Sequence, residues 1–309
     1  MSTVTTDETF QHPALFYSTP EEYTEQTVAF VRQGLAASEP VAVAVPGPNL
    51  ELIKAGLGTD ADGLLLLDMT EAGRNPGRII PKVLRGFADA HPETRVRIIG
   101  EPIWAGRSEV EYPACAQHEA LINAAFEGRA VTILCPYDES RLDETVLADA
   151  RITHPTVISG GREEASSVYD WQAVVSRYNQ ALPPAPEAAV FSYGAEELPE
   201  VRYFAVDQAM RLGLEGQRLQ DAELAVAELT TNSVVHGGGR GSLAIWAQNG
   251  QVVIEVRDAG RLTDPLAGRR PPQPGQIGGR GLMLVHYVSD LVRVHTEDEG
   301  TTVRFYLNI

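Results

Sequence analysis

The chain has 309 residues, 43% of them hydrophobic and 22% charged, which suits a soluble globular protein of about two domains. Its 25 Lys+Arg stand against 42 Asp+Glu, a formal net charge of −17. No local basic stripe offsets this, which argues against direct binding of nucleic acid and leaves a basic protein surface as the better electrostatic match. Two cysteines, Cys115 and Cys135, are too few for a disulfide framework and fit a reducing compartment. The N-terminal stretch MSTVTTDETFQHPALF lacks the pattern of a signal peptide. No apolar run approaches the ~20 residues of a membrane span, so a cytoplasmic location without membrane contact is expected.

In chain order, Thr19-Pro20-Glu21-Glu22 is a helix start, with a Thr cap, Pro in the first turn and Glu at the capping-box position. The helix runs through Tyr23, Phe30 and Val31 to Gly34. Short apolar runs follow at Val41–Val45, Leu64–Leu67, Val96–Ile99 and Val131–Leu134, separated by segments long enough for crossover helices. Continuous apolar strands between helices predict a doubly wound α/β domain with a mostly parallel sheet. Ala165–Ala181 reads as a connecting helix. Leu182–Ala188, with three prolines in four residues, reads as a linker. The expected boundaries are residues 1–182 for the first domain with its connecting helix, 183–188 for the linker and 189–309 for the second domain.

The second half has helical periodicity over Glu200–Leu212 and Leu219–Val235. Strands at Ser242–Gln248 and Gln251–Arg257 flank the hairpin signal Asn249-Gly250. A Gly- and Pro-rich loop, Asp258–Gly279, precedes a helix at Leu282–Val288 and strands at Leu291–Glu297 and Thr301–Leu307. This order predicts an α+β two-layer domain with helices on one face of an antiparallel sheet.

Four features of this half point to a nucleotide. Glu228 and Asn232 lie four apart on one helix, where a carboxylate and an amide oxygen suit a hard cation and a hydroxyl that must lose its proton. Asp258-Ala259-Gly260 ends a strand with an acceptor for an exocyclic amine and a glycine that a flat ring can approach. Gly278-Gly279-Arg280-Gly281 opens a helix whose amide N–H groups suit phosphate. Gly300-Thr301-Thr302 brings a hydroxyl to the start of the last strand. His236, just past the Asn-bearing helix, suits either its last carbonyls or a phosphate.

ELTTNSVVHG, DAG, GGRGLMLV and GTTVRF, in that order, resemble the N, G1, G2 and G3 boxes of the GHKL (Bergerat-fold) ATPases. The likeness covers about Ala189–Ile309 and is nearest to the anti-sigma-factor serine kinases. The resemblance implies ATP and Mg²⁺ as cofactors. Asn232 would hold the metal, and Glu228 would be the general base. Asp258, Gly260 and Thr301 would receive adenine, and Gly279, Arg280, Gly281 and Leu282 would line the phosphates. It also implies a sigma factor or a STAS-type anti-anti-sigma protein as partner, serine/threonine phosphotransfer, and a homodimer. The G1 box departs from the family's Asp-x-Gly-x-Gly, because Leu262 stands at its last position. That departure keeps open a nonenzymatic, nucleotide-dependent switch, and a simple ATPase is a further alternative.

In the first half, HPALFYSTPEEY, FVRQGLAASEPVAVAVP, EPIWAGRSEVEYPACAQHEALIN and VTILCPYD resemble the MEDS sensory domain over about His12–His154. VPGPNLELIKAG has no Gly-Lys-Ser/Thr, so no Walker-type phosphate site is expected there. Cys115, His118 and Cys135 match no common zinc spacing and read as core. His118-Glu119 superficially resembles the phosphoacceptor of sensor histidine kinases, without the helical hairpin those need. Glu101–Trp104 and Tyr137-Asp138 follow strand ends, the edge where open α/β sheets bind ligands.

Overall fold

The structure, a computed structural model, describes residues 10–184, 187–271 and 279–309. The expectations placed on the N-terminal stretch before Phe10, on Ala185 and Pro186 of the linker and on Gly278 lie outside these residues. The chain divides into two compact units, Met1–Tyr178 and Asn179–Ile309.

The first unit runs β1 Pro13–Tyr17, α1 Pro20–Ala36, β2 Val41–Val45, α2 Gly47–Leu57, β3 Leu65–Asp68, α3 Met69–Ala72, α4 Arg85–Asp89, β4 Val96–Gly100, α5 Tyr112–Ala125, β5 Val131–Asp138, α6 Glu144–Thr153, β6 Thr156–Ser159, β7 Arg162–Ala165 and α7 Trp171–Arg177. The seven strands form one sheet in the order β3-β2-β4-β5-β1-β6-β7, parallel except for β7, which pairs antiparallel with β6. The start of α1 follows its sequence signal. Thr19 accepts from the Glu22 amide, and Glu22 reaches back to the Ser18 amide at 2.9 Å. The apolar runs β1 and β2 and the mainly apolar β5 are buried on both faces, as the parallel ladder requires. The β1 strand was not anticipated, since PALFY is short and opens on proline. Its place between β5 and β6 comes from pairing with segments more than 100 residues away.

The connecting helix expected over Ala165–Ala181 is the seven-residue α7, and β7 takes Ala165. Asp170 caps the helix by accepting from the Ala173 amide at 3.1 Å. Val174 and Tyr178 then pack on Ala116 and Ala120 of α5. Buried Asp149 of α6 receives the Tyr178 hydroxyl, the Arg177 guanidinium and the Tyr112 hydroxyl. The periodicity belongs to a helix docked within the first unit.

The second unit runs β8 Ala189–Gly194, α8 Leu198–Arg211, α9 Gly216–His236, β9 Arg240–Gln248, β10 Gln251–Asp258, α10 Gly281–Val288, β11 Leu291–Glu297 and β12 Gly300–Asn308. Its sheet is wholly antiparallel in the order β11-β12-β10-β9-β8. Asn249 takes a left-handed φ of 52° and Gly250 one of 74°, which makes the expected tight turn between β9 and β10. Ala222, Ala225, Val226, Leu229, Thr230 and Ser233 form the buried stripe of α9. The apolar members of that stripe share a core with Val201 and Ala205 of α8, Val285 of α10, and Val256, Val303 and Phe305 of the sheet.

Residues 179–184 belong to this unit and are fastened to its sheet. The Asn179 side chain bonds both the carbonyl and the amide of Thr296, and the Pro183 carbonyl accepts from Arg304. Arg304 sits opposite Glu255 in the β10–β12 ladder, bonds it at 2.8 Å and lies 5.0 Å from the Trp246 ring centroid. Glu255 and Arg304 are 2% and 5% exposed. Arg257 donates to the other Glu255 oxygen at 2.6 Å, so loss of Arg304 leaves the buried carboxylate with that one, more exposed, partner. Arg304→Met is therefore expected to cost about 1.5–3 kcal/mol, read as a lower denaturant midpoint of the second unit.

Candidate functional site

The long helix α9 carries its apolar stripe down onto the sheet and leaves Glu228 and Asn232, one turn apart, half-buried beside the start of α10. Gly281 opens α10 directly against them. A Cβ built on Gly281 would lie 2.6 Å from Glu228 Oε2 and 3.1 Å from Asn232 Nδ2, so only a glycine leaves both side chains in place.

Asp258 ends β10 at the other side of the same hollow. Its Oδ2 accepts from the Ser233 hydroxyl at 2.7 Å and its Oδ1 from the Gly260 amide at 2.8 Å. Glycine is required around it. A Cβ on Gly237 would meet Asp258 Cγ at 2.4 Å, and one on Gly260 would meet the His236 carbonyl at 2.7 Å. Gly300, at φ 151°, packs a Cβ position 2.2 Å from the Asp258 carbonyl. Thr301, opposite Asp258 in the ladder, donates to the Gly260 carbonyl at 2.7 Å. Its Oγ1 also lies 2.8 Å from that of Thr296, and the Thr296 hydroxyl accepts from the Leu262 amide. The loop after β10 is thus pinned to the β11–β12 hairpin.

The hollow is a cavity of about 460 Å³ whose walls include Asn232, Asp258, Gly260, Leu262, Gly279 and Thr301. Gly281, Leu282 and His236 also line it. Arg280, the exposed N-cap of α10, lies outside the lining, and so does Glu228, whose carboxylate sits beside Gly281. Leu262, the residue that departs from the G1 pattern, is in the wall. The sequence reading passed over Ser233, Thr296 and Tyr193. The Tyr193 hydroxyl is raised to about 12 by burial, with Asp258 adding to the shift. Ser233 was legible as the residue after Asn232 on the sheet-facing stripe. Thr296 was not, because only strand pairing brings it to Thr301.

In the first unit, Tyr17, Pro46, Glu101 and Asp138 follow or end four parallel strands and line a cavity of about 480 Å³ with Tyr23, Asn49 and Trp104. The α2 turn that lacks a Walker motif contributes Asn49, which donates to both oxygens of Glu101 at 2.8 and 2.9 Å. Tyr23 donates to Glu101 at 3.1 Å. Burial pushes the Glu101 carboxyl up to about 8, even though these donors pull it down. Other site expectations of this half fare differently. His118 is buried within α5, where a phosphoacceptor imidazole would have to be reached. Cys115 and Cys135 are both buried and outside any disulfide.

The pH consequence follows from Glu101. Its folded pKa lies above its unfolded value, so the native state holds the extra proton between pH 4.5 and 8. Stability from this group is full below that window and falls as pH rises through it, by up to about 1.4 kcal/mol per pH unit. Glu101→Gln is expected to remove that slope in denaturant titrations across pH, and an unchanged slope would contradict the burial effect.

Residues 11–155 match the family described as MEDS: MEthanogen/methylotroph, DcmR Sensory domain. Residues 191–307 match the Histidine kinase-like ATPase domain. Among curated proteins, the serine-protein kinase RsbW of Halalkalibacterium halodurans is 33% identical over 107 residues, 31% of this chain and 65% of that relative. The chain thus spans somewhat less than two thirds of the length of the curated relative it matches. The chain carries a MEDS sensory domain at its N-terminus and a histidine kinase-like ATPase domain at its C-terminus.

Proposed function

We propose that the second unit binds Mg-ATP in a Bergerat-type site and acts as an anti-sigma-type regulator. It sequesters a sigma factor, phosphorylates a STAS-type anti-anti-sigma protein on Ser or Thr, or does both, under the control of the MEDS domain. The observation that carries this reading is the single cavity with Asn232 and Gly281 at one side, Glu228 next to that Gly281, and Asp258, held by Ser233, at the other. The likeness to RsbW supports the kinase half of it.

The residues fit the nucleotide. The space over Gly281 and Gly260 is of the kind a side chain would close, and it is kept open at a helix start and beneath a carboxylate. Asp258 keeps lone pairs free, beyond those used by Ser233 and Gly260, to accept from an exocyclic amine. Asn232 offers an amide oxygen to a hard cation, and Gly279, Gly281 and Leu282 would border the phosphates, with Arg280 at the rim. Bound Mg-ATP supplies the transferable phosphoryl group. The chain's own contribution is to orient it and to present Glu228 as the acceptor for the proton of an incoming hydroxyl. A net charge of −17 suits docking on a basic partner surface.

Leu262 in the cavity wall favours one second reading, a switch that binds nucleotide and partner without transferring phosphate. The two separate in a pull-down with Mg-ATP, followed by mass spectrometry of the captured proteins. New phosphoserine or phosphothreonine on a small partner supports the kinase. Partner capture without it supports the switch.

Glu228→Gln is expected to abolish phosphotransfer, by about 10²-fold or more, while ATP binding stays within a few-fold by a fluorescent-nucleotide titration. Unchanged transfer would remove Glu228 from the base role. Gly281→Ala is expected to push the Glu228 carboxylate aside and weaken nucleotide binding by about tenfold. Its melting temperature should stay near wild type, because alanine suits a helix start and the displaced atom ends a flexible side chain.

A further inference from the structure

The core of the first unit holds a cluster that neither the nucleotide site nor the strand-end cavity uses. His12 precedes β1, Glu119 sits in the middle of α5, Cys135 in β5, and His154 caps the C-terminus of α6. Each is at most 1% exposed, and one ligand-type atom from each lies within 4.8 Å of all the others. His12 Nε2 is 3.4 Å from Glu119 Oε2 and 3.4 Å from Cys135 Sγ. His154 Nε2 is 3.2 Å from Glu119 Oε2.

The surrounding hydrogen bonds fix what these atoms are. Asn123 donates through Nδ2 to the carbonyls of Ala120 and Thr153, so its Oδ1 is the atom facing His12 Nδ1 at 3.2 Å. The same Oδ1 receives the Tyr169 hydroxyl. His12 Nδ1 must therefore carry the proton. His154 Nδ1 lies 2.8 Å from the Ala150 carbonyl, which can only accept, so it too carries the proton. Each ring thus holds a proton on Nδ1 and turns Nε2 inward, the atom that carries the lone pair when the imidazole binds a metal. This is the arrangement in which outer hydrogen bonds orient metal-binding histidines. Glu119 adds a carboxylate whose two oxygens have no hydrogen-bond partner among the described residues, and His154 Nε2 has none either. Two imidazole Nε2 atoms, a carboxylate and a sulfur thus converge within 4.8 Å of one another. Buried acceptors without donors are costly, and a cation resolves the conflict.

We propose that His12, Glu119, Cys135 and His154 form a tetrahedral site for a divalent transition metal of the zinc class. Metal–ligand bonds of about 2.0–2.3 Å give tetrahedral edges of about 3.3–3.8 Å, and the three measured edges of 3.2–3.4 Å match this with little movement. The N₂OS donor set suits a borderline ion such as Zn²⁺, Co²⁺ or Fe²⁺ and not Mg²⁺. With four protein ligands and no exposed edge, the site is closed, and its role is to clamp β1, β5, α5 and α6 together. Binding displaces the Cys135 proton, which burial keeps on the free thiol. None of this depends on the second unit's nucleotide, so the two readings fail separately.

The test uses untagged full-length protein. Elemental analysis after growth with added zinc is expected to give about one ion per chain. Chelator-stripped protein refilled with Co²⁺ should show intense tetrahedral d–d bands and a thiolate-to-cobalt charge-transfer band. Cys135→Ser should lose the charge-transfer band, while Cys115→Ser and Glu228→Gln keep it. Melting of the first unit should shift upward with Zn²⁺. A chain that takes up neither metal while retaining its native circular dichroism overturns the proposal, as does a charge-transfer band that persists in Cys135→Ser. Should Cys135→Ser fail to fold, the wild-type cobalt spectrum alone decides, by showing or lacking the thiolate band.

Discussion

The candidate nucleotide site depends on how closely α9 approaches the antiparallel sheet. The stripe facing the strands is made largely of small residues, Ala222, Ala225, Thr230 and Ser233 among them, and these let helix and sheet come near enough for Ser233 to reach Asp258. That hydrogen bond crosses from helix to strand and orients the carboxylate. The same seating of α9 decides that Glu228 and Asn232, one face further round, emerge beside Gly281. A bulkier stripe would lift the helix, part Ser233 from Asp258 and misplace both halves of the cavity.

Glycine works here by leaving space. Gly237, Gly260 and Gly300 all pack against Asp258 or its neighbours, and each place a Cβ would occupy is taken by other atoms. Thr296 and Thr301 complete the arrangement by tying the loop after β10 to the neighbouring hairpin. The walls are thus held by hydrogen bonds and close backbone contacts. Leu262 is anchored through its amide, a donor that the family's glycine would equally supply, so the one departure from the G1 pattern alters the lining and leaves this tether intact.

Three buried carboxylates, Glu101, Glu119 and Asp149, organise much of the first unit. Asp149 gathers Tyr112, Tyr178 and Arg177 and so docks α7. Glu101 is satisfied by Asn49 and Tyr23 at the strand ends, beside an open cavity. Glu119, by contrast, has imidazoles and a thiol around it and no hydrogen-bond partner among the described residues. Two of these carboxylates are explained by their donors. The third calls for a cation, and this difference in satisfaction sets the His12 cluster apart from ordinary core polarity.

Local signals in the sequence determined a good deal. The Thr19 cap, the Asn249-Gly250 turn, the apolar runs of β2, β4 and β5 and the order of elements in the second unit all rest on interactions within a few residues. The motif order ELTTNSVVHG, DAG, GGRGLMLV, GTTVRF carried the ATPase resemblance, and the first-half segments carried the MEDS resemblance. Both are matched by the family comparisons. What depends on contacts far apart in the chain was decided only by the tertiary structure. β1 exists because β5 and β6 flank it. Thr296 meets Thr301 only through the β11–β12 ladder, and α7 stops short because Asp149 waits for its last turn. Cys135 read as plain core because its nearest neighbours in sequence offered no ligand pattern. His12, Glu119 and His154 come from a preceding loop, a helix middle and a helix end, and no spacing rule links them. Sequence periodicity records which face of an element is buried, whereas which buried faces meet is settled by packing over the whole sheet.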